Sequence, residues 1–160
     1  MSATIYMETP LGIAEIQGDM DGISKVAVSD PSKSPNLSTE IPSYLQPAVI
    51  QLQEYFEGKR TAFDLKLNPK GTDFQIKVRN ELLKIPHSKT VSYLDIAKRL
   101  GDPKSIRAAA TANGKNPIWI IIPCHRVIGS DGSLTGYAGG LWRKKWLLAH
   151  ENPVKQQTLF

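Results

Sequence analysis

The sequence predicts an α+β chain, with a strand-bearing first half followed by a mostly helical second half. Three observations carry that expectation. Residues 3–29 contain short β-prone runs separated by turn signals. Helix-opening signatures then follow one another at Thr72, Ser92 and Asp102. The charge changes sign between the halves. Residues 1–72 hold 9 acids and 6 bases and carry −3, whereas residues 73–160 hold 6 acids and 14 bases and carry +8. The predicted domains are 1–71, a scaffold, and 72–160, which holds all three tryptophans, all three histidines and the single cysteine.

In chain order, Thr4 to Met7 is the first β-prone run, ended by Pro10. Ile13 to Ile16 follows the Leu11-Gly12 turn, and Ile23 to Val28 follows Asp21-Gly22, giving a three-stranded meander. Four prolines among serines make 30–47 a loop. Val49, Leu52, Tyr55 and Phe56 recur at helical spacing before Gly58, and Phe63 to Leu67 reads as one more strand.

Thr72 and Gln75 fit a capping box, with Phe74, Val78 and Leu82 along one face and Pro86 as the stop. Ser92 and Asp95 open a second helix that buries Tyr93, Ile96, Ala97 and Leu100 and closes at Gly101. Asp102-Pro103 starts a third, ended by Asn113-Gly114. Two short helices across a tight glycine turn form a helix-turn-helix signature. Ala108, Ala109, Ala110 and Ala112 make the last helix thin, so Arg107 and Ala108 could approach DNA closely; the competing reading is an alanine-rich packing face.

Ile118 to Ile122 reads as a buried strand that delivers Pro123-Cys124-His125-Arg126 at its end. His125 and Arg126 are cationic neighbours that would favour the nucleophilic thiolate. A glycine-rich stretch, 129–140, follows and can fold over a small-molecule pocket. A phosphatase loop needs arginine five residues beyond the cysteine's next neighbour, but position 130 is Ser130. A cysteine protease remains formally open, although it gives no reason for a basic helical half. One cysteine excludes an intramolecular disulfide framework and cysteine-rich zinc sites. The first residues lack a signal-peptide pattern, and no apolar run reaches membrane-spanning length.

Pro123-Cys124-His125-Arg126-Val127-Ile128-Gly129, with Asn116-Pro117 before it, Gly136-Tyr137-Ala138-Gly139-Gly140 after it and Lys145 to Glu151 at the end, resembles the O6-alkylguanine-DNA alkyltransferase family. The resemblance is close over about residues 72–151 and weaker in the first half. It implies a ribonuclease-H-like N-terminal domain with antiparallel strands beside a helical C-terminal domain. It also implies direct-reversal DNA repair: minor-groove binding of double-stranded DNA, flipping of the damaged nucleotide, and irreversible transfer of the alkyl group from guanine O6 to Cys124, once per molecule. O4-alkylthymine is left open as a further substrate.

By the same resemblance, His125 acts through a water as base, Glu151 orients His125, Tyr137 donates to the leaving guanine, and Asn116 holds the turn before the active-site segment. Arg107 fills the gap in the duplex, Tyr93 crowds the target phosphate, and Ser130 contacts the DNA backbone. Trp119, Val127, Tyr137 and Ala138 line the pocket, with Trp119 in a place where some relatives have a smaller proline. Some relatives hold zinc through N-terminal cysteines and histidines; this half has neither, so no metal is expected, and no cofactor is implied. The expected state is a monomer, cytoplasmic, or nuclear in a eukaryote. Two rivals survive: a lesion sensor without transfer, which would lack the acceptor cysteine, and a helix-turn-helix regulator whose cysteine is incidental.

Overall fold

The computed structural model describes residues 2–30, 36–134, 136–137 and 139–153. The prolines at 31 and 35, and Ala138, therefore lie outside the described residues. The chain divides into two compact units, residues 1–72 with 117–122, and residues 73–116 with 123–160.

In the first unit, β1 (Ala3–Thr9), β2 (Gly12–Asp19) and β3 (Gly22–Ser29) form an antiparallel meander. Ile5 pairs with Ile16, which pairs with Val26, so one face is a ladder of buried apolar side chains. A register shift falls between Gln17 and Gly18. A Cβ at Gly18 would stand 2.6 Å from the Gly22 carbonyl oxygen, so the irregular turn needs glycine there. Helix α1 (Gln46–Phe56) begins with Pro47 in its first turn and buries Ala48, Val49, Leu52 and Tyr55.

Two expectations fail in this unit. Phe63 to Leu67 forms no strand; only an isolated parallel bridge joins Leu67 to Ile23. Ile118 to Ile122 is buried throughout but is a turn, not a strand. One end pairs with β3, where Val26 N donates to Pro117 O and Trp119 N donates to Val26 O. The chain then folds back, with Ile122 N reaching Ile118 O at 3.1 Å and Ile120 at φ 69°. Apolar composition reported burial correctly, but burial alone does not distinguish a strand from a compact turn. A β-branched residue at positive φ is strained and persists only where packing overdetermines it.

The second unit contains α2 (Asp73–Leu82), β4 (Val91–Ser92), α3 (Tyr93–Arg99), α4 (Ile106–Gly114), β5 (Val127–Ile128) and α5 (Leu141–Glu151). In α2, Val78 and Leu82 are fully buried as expected, and the helix stops at Leu82, short of Pro86. Arg79 is buried beside them, with Nε and Nη1 lacking any hydrogen-bond partner. The Ser92–Asp95 capping box forms in full: each side chain bonds the other's main-chain N–H, at 3.0 and 2.9 Å. Tyr93 and Leu100 are only half-buried; Ile96 and Ala97 carry the buried stripe. Asp102 caps a 3-10 turn, Pro103–Ser105, that leads into α4. Helices α3 and α4 pack together and both pack against α2, giving the helix-turn-helix. Ala109 and Ala112 pack inward while Ala108 stays exposed, so α4 is thin on its outer side and close-packed on its inner side.

Candidate active site

Pro123 breaks the chain, and a single 3-10 turn, Cys124–Arg126, follows. Cys124 is thus presented by a turn, not by a strand end, and is buried. The Asn113 side-chain amide donates to the Cys124 carbonyl at 3.3 Å.

Burial pushes the Cys124 thiol above its ordinary pKa. Hydrogen bonds from the Asn116 and Tyr137 side chains, then the Lys144 charge, act the other way without overcoming it. The expectation that His125 and Arg126 would favour the thiolate is therefore corrected. Both turn instead toward Glu151. His125 Nε2 lies 2.7 Å from Glu151 Oε2, and Arg126 forks the same carboxylate through Nε at 2.8 Å and Nη2 at 3.0 Å.

Burial raises the Glu151 carboxyl, but the His125 and Arg126 hydrogen bonds outweigh it and hold the group well below the usual carboxylate range. Burial also lowers the His125 pKa, against the raising influence of Glu151. At neutral pH the cluster is thus a neutral imidazole beside a carboxylate whose charge is balanced by Arg126. Because Nε2 faces Glu151, His125 Nδ1 is the remaining ring nitrogen, and it is buried without a hydrogen-bond partner. Arg126 Nη1 goes on to the Ile85 carbonyl at 2.7 Å, which ties the end of α2's following turn to the site.

Lys144 was not anticipated from the sequence. It is fully buried, and its Nζ donates to the Val127 carbonyl at 2.7 Å. The same ammonium lies 5.8 Å from the Tyr93 ring centroid and 5.9 Å from that of Tyr137. It therefore holds β5 and the two tyrosines around one positive charge that also acts on the thiol. Its neighbour Lys145 is exposed, so helical phase was the only sequence signal that could have separated them.

The structure brings Cys124, Asn116 and Tyr137 together, and His125 with Glu151. Val127 is fully buried in β5. Arg107 and Ala108 are exposed on α4, Tyr93 is half-buried at the start of α3, and Ser130 is exposed in the turn after β5. Trp119 packs against Phe56 with ring centroids 6.1 Å apart. Asn113 and Lys144 are the participants that motif reading missed, and Arg126 is one whose partner it misassigned.

Two family models match the chain. The 6-O-methylguanine DNA methyltransferase DNA binding domain covers residues 73–153, and the ribonuclease-like domain of the same enzymes covers residues 3–69. The chain belongs to the 6-O-methylguanine DNA methyltransferase family. A methylated-DNA–protein-cysteine methyltransferase of Methanosarcina acetivorans is 45% identical over 147 residues, covering 90% of this chain and 94% of its own. The Mycobacterium tuberculosis enzyme of that name is 43% identical over 147 residues, covering 91% and 89%. A crystal structure of the M. tuberculosis methyltransferase in complex with DNA aligns with a TM-score of 0.82 at 43% identity, covering 91% of this chain and 90% of that one. The fold class expected from the sequence, including the ribonuclease-like first domain, is that of this methyltransferase family.

Among the described residues no cluster of three or more His, Cys, Asp or Glu side chains could hold a metal ion. No described helix is long and apolar enough to cross a membrane.

Proposed function

We propose that this DNA-repair methyltransferase takes the alkyl group of O6-alkylguanine in double-stranded DNA onto Cys124 Sγ, once per molecule, after the nucleotide has been flipped out of the helix. The observation that carries the reading is the setting of the only cysteine: buried, with the Asn116 and Tyr137 side chains and the Lys144 charge all acting to favour its thiolate. A buried thiol with a raised pKa is a poor nucleophile until its proton is removed. His125, anchored by Glu151, offers Nδ1 as the base, acting through one water. The S–C bond forms as the C–O6 bond breaks, the bonding pair leaves on the guanine, and the Tyr137 hydroxyl donates to a ring nitrogen of the departing base, which regains the proton given up by the thiol. A thioether results, which water does not readily cleave, so the protein is consumed.

Arg107 and Ala108, exposed on α4, enter the minor groove; Arg107 fills the gap left by the flipped base, Tyr93 crowds its phosphate, and Ser130 touches the backbone. Val127 and Ala138 read the guanine edge, and Trp119 narrows the pocket against bulky adducts. The protein acts as a monomer and needs no cofactor.

The test is intact-protein mass after incubation with a duplex containing O6-methylguanine. A gain of one methyl group that Cys124→Ser abolishes supports the reading; an unchanged mass in folded protein overturns it. In the same assay Arg107→Ala should slow transfer from duplex DNA far more than from the free modified base. Trp119→Ala should raise benzyl transfer relative to methyl transfer. Equal losses, or an unchanged ratio, would remove those two roles.

A further inference from the structure

The outer face of α5 carries an arrangement that alkyl transfer does not use. Leu141 and Trp142, in its first turn, are 48% and 55% exposed. Trp142 is nevertheless held in place. The Arg143 guanidinium carbon sits 4.4 Å from its ring centroid, and the ring's Cδ1 and Nε1 lie 3.3 and 3.4 Å from where a Cβ on Gly140 would stand. Arg143 is itself buried and fixed, its Nη1 donating to the Gly139 carbonyl at 2.8 Å. The indole is thus clamped to a cation while much of its surface stays open to water. Further along, Lys145 is exposed, and the half-buried Trp146 is stacked on His150 at 4.8 Å. From Leu141 to His150 there is no acidic residue, and of the three lysines and arginines Lys145 is the exposed one.

We propose that this face is a second nucleic-acid contact, separate from the helix-turn-helix, which binds single-stranded nucleic acid by stacking an unpaired base on Trp142 and placing a phosphate at Lys145. Aromatic platforms alternating with cations are the arrangement that binds single strands without regard to sequence. The clamp adds preorganisation, because an indole that is already immobile loses little entropy when a base stacks on it. Charge decides between occupants. A second copy of this chain would bring another half carrying +8 against the face, and an apolar partner would meet Lys145 within the patch. A polyanion with flat, apolar bases meets neither obstacle.

The experiment uses the full chain and a fluorescent, unmodified oligothymidylate of about twelve nucleotides, within the site sizes common for single-strand binding. Affinity is followed by anisotropy from about 50 to 200 mM salt. Trp142→Ala should weaken binding roughly 5- to 50-fold, Trp142→Phe should keep most of the affinity, and Lys145→Ala should lower the salt slope by about one phosphate contact. None of the three should alter methyl transfer from duplex DNA. Wild-type affinity in Trp142→Ala overturns the proposal, and so does a wild-type dimer that Trp142→Ala converts to monomer. The acceptor reading is independent: a protein that gains no methyl but binds the oligothymidylate through Trp142 would overturn that reading alone.

Discussion

Asn113, in the last turn of α4, donates its side-chain amide to the main-chain carbonyl of Cys124, eleven residues further on. The second helix of the helix-turn-helix is therefore tied directly to the backbone of the cysteine. Asn113→Ala removes the donor and leaves a buried carbonyl without it, a loss of about 1–3 kcal/mol. A domain of this size should melt several degrees lower, roughly 2–4 °C per kcal/mol. Calorimetry showing an unchanged Tm would mean that the tie carries no weight.

Glu151→Gln keeps the shape of the cluster and removes its one negative charge. Arg126 is then left buried without a counter-charge, which typically costs about 3–5 kcal/mol. The pH dependence follows from the signs. The Glu151 pKa is depressed on folding, so its contribution is complete above about pH 4.3 and is lost as pH falls toward the depressed folded value. The His125 pKa is also depressed, so unfolded chains gain a proton below about pH 6.5 that folded ones take up only at lower pH. The wild type should lose stability in two stages on acidification. Denaturant unfolding across this range should show the lower stage missing in Glu151→Gln; two stages in both proteins would refute the assignment.

Cys124 should react slowly with a small electrophile such as iodoacetamide at neutral pH. Its rate should still be climbing above about pH 8.5, where an ordinary thiol levels off, because burial raises its pKa. Lys144→Met withdraws the cation that partly opposes this and should shift the pH–rate curve further toward alkali. A plateau at the ordinary thiol value, or an unshifted curve in the variant, would contradict the proposed electrostatics.

Arg79 is 4% exposed, its Nε and Nη1 are unpartnered, and burial lowers its pKa. Replacing a buried, poorly paired charge with an apolar side chain of similar volume is often stabilising by about 1–4 kcal/mol. Arg79→Met should therefore raise the Tm without altering methyl transfer. A lower Tm would show that the guanidinium contributes more than its missing hydrogen bonds suggest.

Local signals in the sequence were reliable where the structure they specify is local. The meander turns, the Ser92–Asp95 capping box and the Asp102-Pro103 start depend on residues within a few positions of one another. Segment 118–122 misled because five apolar residues report burial and say nothing of what pairs with their backbone. The same limit hid much of the site. Arg126 ends on Ile85, 41 residues away, and Lys144 on Val127, 17 residues away. Both acceptors are main-chain carbonyls, which have no side-chain signature. Adjacency even suggested the wrong partner, since His125 and Arg126 follow Cys124 in sequence but both bond the Glu151 carboxylate.

Glu151 is the last residue of α5 and follows Arg126 by 25 residues. When Arg126 has been added to the growing chain, the carboxylate that must neutralise it is still to be synthesised. The N-terminal strands and the helix-turn-helix can form earlier in synthesis. The cluster behind Cys124 closes only after α5 docks. A nascent or prematurely terminated chain can therefore carry the cysteine and much of the fold while still lacking the ionic anchor of its active site.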